Sequence, residues 1–216
     1  ENVAAFLGAP VWKLLVAGLE ALGYEVSAQV VDAVEFGVPQ RRQRSFTFAS
    51  KVGIPTLEKP VSPGDVSVRA AWDGLPEEPD GRNLHYAPSP SPLALARMRL
   101  IPPGGDRRDI MQRAPDLAAP SWWRLDVEAT DVWGRMEWHK PSNTLRTDLQ
   151  NPSKGRYIHP EQHRVITLRE AARLHSIDDA WTFVGARTRI ARQIGNSVPP
   201  RLGRAVAKAV AAALGF

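Results

Sequence analysis

The first fifty residues arrange apolar and polar positions in two different periods. Residues 10–22 carry apolar side chains three and four positions apart, which predicts a helix that begins near Pro10 and ends before Gly23. Residues 24–34 alternate instead, and residues 45–50 place two phenylalanines on one side of the chain, so both segments are predicted to be strands. The apolar positions of the predicted helix are Val11, Leu14, Leu15, Leu19 and Leu22.

Two amphipathic helices are predicted towards the other end. Thr167, followed three residues later by Glu170, has the spacing of a capping box and predicts a helix that runs to about Ser176. A last helix is predicted over 199–214, because apolar side chains recur along it. The polar segment 193–200 is predicted to be a turn that leads into the N-terminus of this last helix.

Composition changes between these two ends. From about residue 55 to about 160 the chain is rich in Pro, Trp, Gly and charged residues, and it shows few periodic runs. Because each tryptophan ring buries a large apolar area, a Trp-rich segment is usually ordered. We therefore predict an irregular domain of loops and short strands over 56–160. It follows an α/β unit at 1–55 and precedes helices at 161–216 that return to that unit.

The charge balance favours a polyanionic partner. The chain has 28 Lys and Arg against 23 Asp and Glu, a formal net charge of +5. Its arginines concentrate at 41–44, at 107–108 and between 187 and 204, and Arg presents a planar set of donors that suits phosphates and base edges. No apolar run approaches the roughly 20 residues that cross a bilayer, and no secretory leader opens the chain. We expect a cytoplasmic protein with no membrane partner.

The chain contains no cysteine. Disulfides, thiolate metal sites and a cysteine nucleophile are therefore excluded within these 216 residues. The five histidines are scattered, and His159 and His163, four residues apart, are interpreted as ordinary polar residues. We assign no metal site.

Three segments carry candidate chemistry. Residues 36–44 hold three arginines and two glutamines, which could bind phosphate or the polar edge of a base, but a solvated charged hairpin has the same composition. Residues 195–200 could bind an anion at a helix N-terminus, or they could only cap that helix. The Glu-Asn-Val tripeptide at 1–3 carries a carboxylate that means little by itself. The residues alone leave these alternatives open.

The order of these segments resembles the second half of the DNA (cytosine-5) methyltransferase family. Glu-Asn-Val is followed about 35 residues later by Phe-Gly-Val-Pro-Gln-Arg-Arg-Gln-Arg. A variable insert follows, then Thr-Leu-Arg-Glu-Ala-Ala-Arg-Leu and Gln-Ile-Gly-Asn-Ser-Val-Pro-Pro. The resemblance covers the whole chain. It implies the C-terminal part of a doubly wound, Rossmann-like α/β sheet, with an irregular target-recognition domain at 56–160.

The resemblance also implies a reaction and a set of site residues. The family transfers a methyl group from S-adenosylmethionine to C5 of a cytosine that is flipped out of double-stranded DNA. By this resemblance Glu1 contacts N3 of the cytosine, and Arg44 reaches O2 with Arg42 beside it. Asn196 and Ser197 border the methyl donor. The predicted DNA contacts are Gln40, Arg107, Arg108, Arg146 and Thr147.

Two elements of the family pattern do not occur in this chain. The Gly-rich donor loop and the Pro-Cys-Gln nucleophile loop normally precede Glu-Asn-Val. We therefore expect that the chain alone does not methylate DNA, and that an upstream segment or a separate chain carries the N-terminal half. The alternative is a non-catalytic DNA-binding subunit or remnant that kept the recognition region. A nuclease would need a cluster of metal-binding carboxylates, which the sequence does not suggest.

Overall fold

Three strands form one sheet from the first fifty residues. The computed structural model describes residues 1–124 and 131–216, so six residues of the predicted recognition domain lie outside the described part. The strands are β1 (Asn2–Val3), β2 (Glu25–Asp32) and β3 (Gln43–Ser50). β3 lies between the other two and pairs antiparallel with both, so β1 and β2 run in the same direction. The strands predicted at 24–34 and 45–50 are confirmed to within two residues at each end.

A turn of 3-10 helix, Ala33–Phe36, joins β2 to residues 37–42, which contain Arg41 and Arg42 and are called the basic loop. Asp32 caps this turn, because its carboxylate accepts hydrogen bonds from the backbone N–H groups of Val34 (3.4 Å) and Arg42 (2.7 Å). Gly37 ends the turn with φ at 79°, in the left-handed region that favours glycine. The loop that follows is thereby directed into the interior.

The helices follow the amphipathic pattern where that pattern is clear. They are α1 (Pro10–Ala21), α2 (Val68–Ala71), α3 (Pro92–Arg99), α4 (Arg107–Arg113), α5 (Leu168–Leu174), α6 (Arg187–Asn196) and α7 (Pro200–Ala213). The helices predicted from the N-terminal pattern, the capping box and the C-terminal pattern are confirmed as α1, α5 and α7. Thr167 and Glu170 form the predicted capping box, and the helix ends before Ser176, whose φ is 58°.

The prediction that 56–160 consists of loops and short strands is wrong in part. Helices α2, α3 and α4 lie there, and within its described residues β pairing is limited to isolated bridges. Ser67, Ser91 and Asp106 each accept a hydrogen bond from a backbone N–H in the first turn of one of these helices. The polar residues that suggested loops are therefore N-caps of short helices.

The predicted polar turn at 193–200 is also corrected. Residues 193–196 form the last turn of α6, and only residues 197–199 connect this helix to α7. The helix is stabilised by a narrow buried face that consists of Ile190, Ala191, Ile194 and Gly195.

Buried side chains form three clusters. The sheet core places the hairpin residues Val31, Phe46 and Phe48 against Leu202 and Ala209 of α7. The central core joins α2 to α5 and α6, and it includes Leu145, Leu149 and Tyr157. A third cluster lies within the insert, around Ile110 of α4 and the rings of Trp122 and Trp133. The central core thus contains residues from both sides of the predicted boundary at 160.

Helix α1 leaves its apolar face uncovered. None of its residues is buried, and Val11, Leu14 and Leu15 are 59%, 74% and 49% exposed. An exposed apolar face of this kind is typical of a surface that another polypeptide covers. As a separate observation, the part of the chain that the structure describes contains no helix that is long and apolar enough to span a membrane.

Candidate functional site

A cavity of about 340 Å³ lies where four separate segments meet. The start of β1, the start of β3, residues 145–147 and the end of α6 each supply part of its wall. Its lining residues are Glu1, Asn2, Val3, Arg42, Arg44, Leu145, Arg146, Thr147, Gly195 and Asn196. Six of the ten site residues predicted from the sequence are thus brought together, although they are spread over almost 200 positions of the chain.

Glu1 and Arg44 form an ion pair on one wall of this cavity. Nε of Arg44 lies 3.0 Å from Oε1 of Glu1, and their side chains are 16% and 24% exposed. The pairing of β1 with β3 sets this contact, because Val3 lies opposite Arg44 in the sheet. A carboxyl group and a guanidinium group are therefore presented side by side to a ligand in the cavity.

Arg42 is a buried cation that joins the walls to each other. Its guanidinium donates to the backbone carbonyls of Leu145 (3.1 Å) and Gly195 (2.9 Å), and the residue is 3% exposed. Burial, and then repulsion from Arg44, lowers the pKa of Arg42 to about 10, while Glu1 opposes the shift. Its Nε is buried and has no hydrogen-bond partner among the described residues. The wall therefore keeps a positive charge and one buried N–H donor without an acceptor among the described residues.

Gln40 and His175 form a second buried connection beneath the cavity. The Gln40 amide donates to Nδ1 of His175 (2.9 Å), and its oxygen accepts from the backbone N–H of Leu145 (3.1 Å). Nε2 of His175 lies 2.9 Å from the carbonyl of Ser197. These partners assign the proton of the imidazole to Nε2. The basic loop, residue 145 and the α6–α7 connection are thus held in one hydrogen-bonded unit.

Burial determines the charge state of His175. The residue is fully buried, and this burial lowers its pKa to about 3. The hydrogen bond to the Ser197 carbonyl raises the pKa, but the neighbouring charges of Arg42 and Arg44 lower it further. His175 is therefore neutral at physiological pH and acts as a positioning residue. Sequence reasoning missed it, because its partners are distant in the chain.

The end of α6 and residues 146–147 are in unusually close contact. A Cβ on Gly195 would lie 2.6 Å from the carbonyl carbon and oxygen of Arg146 and 2.7 Å from the amide nitrogen of Thr147. Tyr157 supports the same segment, because its hydroxyl accepts from the backbone N–H of Arg146 (3.1 Å). Only glycine fits at 195 while the two segments stay this close.

Asn196 and Ser197 lie between this cavity and a larger groove of about 1170 Å³. Asn196 is exposed and borders both spaces, whereas Ser197 borders only the groove. The Ser197 hydroxyl donates to the Ile194 carbonyl (3.0 Å) and keeps its lone pairs for another donor. The groove continues past Val198, which is partly exposed.

Three of the predicted DNA contacts lie elsewhere. Gln40 is fully buried with its amide bonded to protein atoms, so its burial gives it a positioning role in place of the expected direct contact. Arg107, on α4, is 2% exposed, which leaves it no surface to offer to DNA. Arg108 is half-exposed, and its guanidinium binds the Asp106 carboxylate at 2.7 Å. Neither α4 arginine lines the cavity.

Comparison with solved structures identifies the fold. The Dnmt2 methyltransferase of S. pombe matches 100% of this chain and 64% of its own, with a TM-score of 0.63 at 14% identity. The Entamoeba histolytica methyltransferase EhMeth matches 99% of this chain and 61% of its own, with a TM-score of 0.56 at 16% identity. The protein thus has the α/β fold of these methyltransferases.

Sequence comparison then identifies the family. The family model described as C-5 cytosine-specific DNA methylase matches residues 1–86 and 109–212. Type II methylase M.HgiDII of Herpetosiphon aurantiacus is 33% identical over 97% of this chain. Type II methyltransferase M1.HphI of Haemophilus parahaemolyticus is 33% identical over 88% of this chain. The chain belongs to the C-5 cytosine-specific DNA methylase family. It spans 62% of the first of these relatives and 49% of the second.

Proposed function

We propose that this chain supplies the base-binding pocket and the recognition region of a DNA (cytosine-5) methyltransferase. The observation that carries the proposal is the Glu1–Arg44 pair in a cavity of about 340 Å³ with the buried charge of Arg42 beside it. The names of the relatives, which describe methylases and methyltransferases, support the same assignment.

The chemistry of the cavity suits a cytosine that has left the duplex. Arg44 can donate to the carbonyl oxygen O2, and the Glu1 carboxyl can interact with N3. When a nucleophile adds to C6 of the ring, electron density moves towards N3, and a carboxylic acid there donates a hydrogen bond or its proton to that nitrogen. The nucleophile itself lies outside this chain, which contains no cysteine.

The methyl donor is proposed to occupy part of the larger groove. S-adenosylmethionine supplies an electrophilic methyl group when it is bound. The exposed amide of Asn196 and the hydroxyl of Ser197 fit the polar parts of such a ligand on one side. Since Asn196 borders both the groove and the base cavity, a donor held there would lie next to the base.

The rest of the sheet is proposed to be Rossmann-like and doubly wound. β1 and β2 run in the same direction and α1 connects them, which is the strand–helix–strand unit from which such sheets are built. The uncovered apolar face of α1 is proposed to be the surface that the N-terminal half covers, whether that half is an upstream segment or a separate chain.

Reconstitution tests this function. The chain is combined with a separately expressed N-terminal half of a relative such as M.HgiDII, and transfer of labelled methyl groups from S-adenosylmethionine to double-stranded DNA is measured. We expect activity only when both parts are present. Glu1→Gln is expected to lower kcat by about 10²-fold or more, as the loss of a general acid does. Glu25→Gln, which changes an exposed carboxylate at the far end of β2, serves as the matched control.

The two variants separate the possible explanations. If Glu1→Gln keeps the wild-type rate, Glu1 has no part in the chemistry. DNA binding without methyl transfer in every reconstituted mixture would favour the alternative of a non-catalytic DNA-binding subunit.

A further inference from the structure

One exposed face of α6 leads directly to the mouth of the base cavity. Thr188, Arg192 and Asn196 are all exposed and follow each other at intervals of four residues, about 6 Å apart along the helix axis. Asn196, at the end of this row, lines the cavity. The helix contains no acidic residue.

Arg192 is an exposed cation whose side chain makes no polar contact within the described residues. Among the described residues it has no hydrogen-bond or ion-pair partner. The first arginine of the same helix, Arg187, behaves differently, because it lies over the ring of Tyr86 (4.9 Å) and donates to the Tyr86 carbonyl (3.3 Å). No hydrogen bond or ion pair within the described residues therefore gives the Arg192 side chain a structural role. Its position is one helical turn before Asn196, which lines the cavity.

Arg146 provides a second exposed cation. It lies in the segment 145–147, which packs against Gly195 of α6. Its backbone lies against Gly195, and its side chain is exposed and has no hydrogen-bond or ion-pair partner among the described residues. Asp148, also exposed, is the acidic residue nearest to Arg146 in sequence and forms no ion pair with it within the described part. One of the two exposed arginines, Arg146, thus lines the cavity, and the other, Arg192, lies one helical turn before Asn196, which lines it as well.

We propose that Arg192, together with Arg146, binds the phosphates on either side of the flipped nucleotide. A nucleotide that enters the cavity brings two backbone phosphates to its rim, where long, exposed and unpaired guanidinium groups suit them. Arg146 lines the cavity, and Arg192 lies one helical turn before Asn196, which also lines it. We therefore assign both side chains to the DNA backbone and not to the reading of its sequence. This assignment rests on the function proposed above and adds Arg192 to the residues predicted from the sequence.

The salt dependence of DNA binding tests the assignment. Binding of the 216-residue chain to a fluorescein-labelled duplex of mixed sequence is measured by anisotropy between 50 and 200 mM salt. Each lost phosphate contact reduces the slope of log K against log salt by about 0.9. For Arg192→Gln we expect this reduction, so the affinity deficit of the variant shrinks by about 3.5-fold across the fourfold range of salt. Arg192→Lys keeps the charge and is expected to keep the wild-type slope.

A charge-matched control separates a local contact from general electrostatics. Lys208 is exposed on α7 and lines a different groove, and Lys208→Gln removes one charge as Arg192→Gln does. We expect the wild-type slope for this control, and circular dichroism verifies that each variant is folded. An unchanged slope for Arg192→Gln, or an equal loss for Lys208→Gln, overturns the assignment while leaving the reconstitution experiment intact. If the wild-type chain shows no salt-dependent binding, the assignment also fails, and the reconstitution experiment decides separately whether DNA is the substrate.

Discussion

Replacing Gly195 with alanine has two opposing effects on stability, at the wall of the cavity that Glu1 and Arg44 line. Gly195 lies inside α6, where alanine is favoured over glycine by about 1 kcal/mol in an exposed helix interior. The added Cβ, however, would lie 2.6 Å from two backbone atoms of Arg146 and 2.7 Å from the amide nitrogen of Thr147. Ordinary contacts between such atoms are about 3.5–4.0 Å, so the two segments would have to separate by roughly 1 Å.

We expect the steric effect to dominate. The atoms in the way belong to the backbone, which cannot rotate aside as a flexible side chain can. Residues 145–147 are also tied to Arg42, Gln40 and Tyr157 by hydrogen bonds. Overpacking of this kind costs about 1–3 kcal/mol, and separation also strains the Arg42 bonds. With about 1 kcal/mol for the weakened Arg42 hydrogen bonds and the gain of about 1 kcal/mol in helix propensity, the net loss is about 1–3 kcal/mol. This corresponds to a fall in Tm of roughly 2–12 °C for a chain of this size.

Thermal and urea unfolding, followed by circular dichroism, measure this difference. Gly18, in the middle of α1, provides the matched control, because a Cβ there has nothing within 4 Å. Gly18→Ala is expected to stabilise the protein by up to about 1 kcal/mol. The reasoning is refuted if Gly195→Ala is as stable as the wild type or more stable.

Two further predictions concern buried charge. Burial lowers the pKa of both His159 and His175 to about 3, so the folded protein binds fewer protons than the unfolded chain, whose histidines titrate near 6.5. Stability from these residues is complete above about pH 6.5 and is lost as the pH falls towards 3, by roughly 2 kcal/mol per histidine between pH 7 and pH 5. Urea unfolding at both pH values checks this, and equal stability would contradict it. Arg42→Met leaves two buried carbonyls without their donor and is expected to cost about 2 kcal/mol. Arg41→Met, whose side chain is exposed, should stay within about 0.5 kcal/mol, and a similar loss for both variants would argue against the role of Arg42.

The sequence predicted those parts of the fold in which local pattern and tertiary packing agree. The alternation in β2 and β3 and the capping box at Thr167 both report on contacts within a few residues, and both are confirmed. Helix α6 was missed because arginines and polar residues surround a buried face of only four residues. The helices of the insert were missed for a related reason, since serine and aspartate favour both turns and N-caps.

Family resemblance predicted the residues of the candidate site but not the hydrogen bonds that hold them in place. The motifs identified Glu1, Arg42 and Arg44, which the fold brings to one cavity. No local pattern indicates that Gln40 bonds to His175, because these residues are 135 positions apart and meet only when the chain has folded. Because this contact is not visible in the sequence, Gln40 was expected at the surface among the arginines. The loop instead directs its side chain inward.

The sheet core packs residues that the ribosome synthesises far apart in time. The apolar side of the β2–β3 hairpin, with Val31, Phe46 and Phe48, is covered by Leu202 and Ala209 of α7. About 150 residues separate the end of the hairpin from this helix, so at about 5–20 residues per second the covering helix is made roughly 8–30 s later. During that interval the aromatic surface of the hairpin lacks the helix that covers it in the finished protein. A nascent-chain chaperone could therefore bind a segment that is among the better buried in the finished protein.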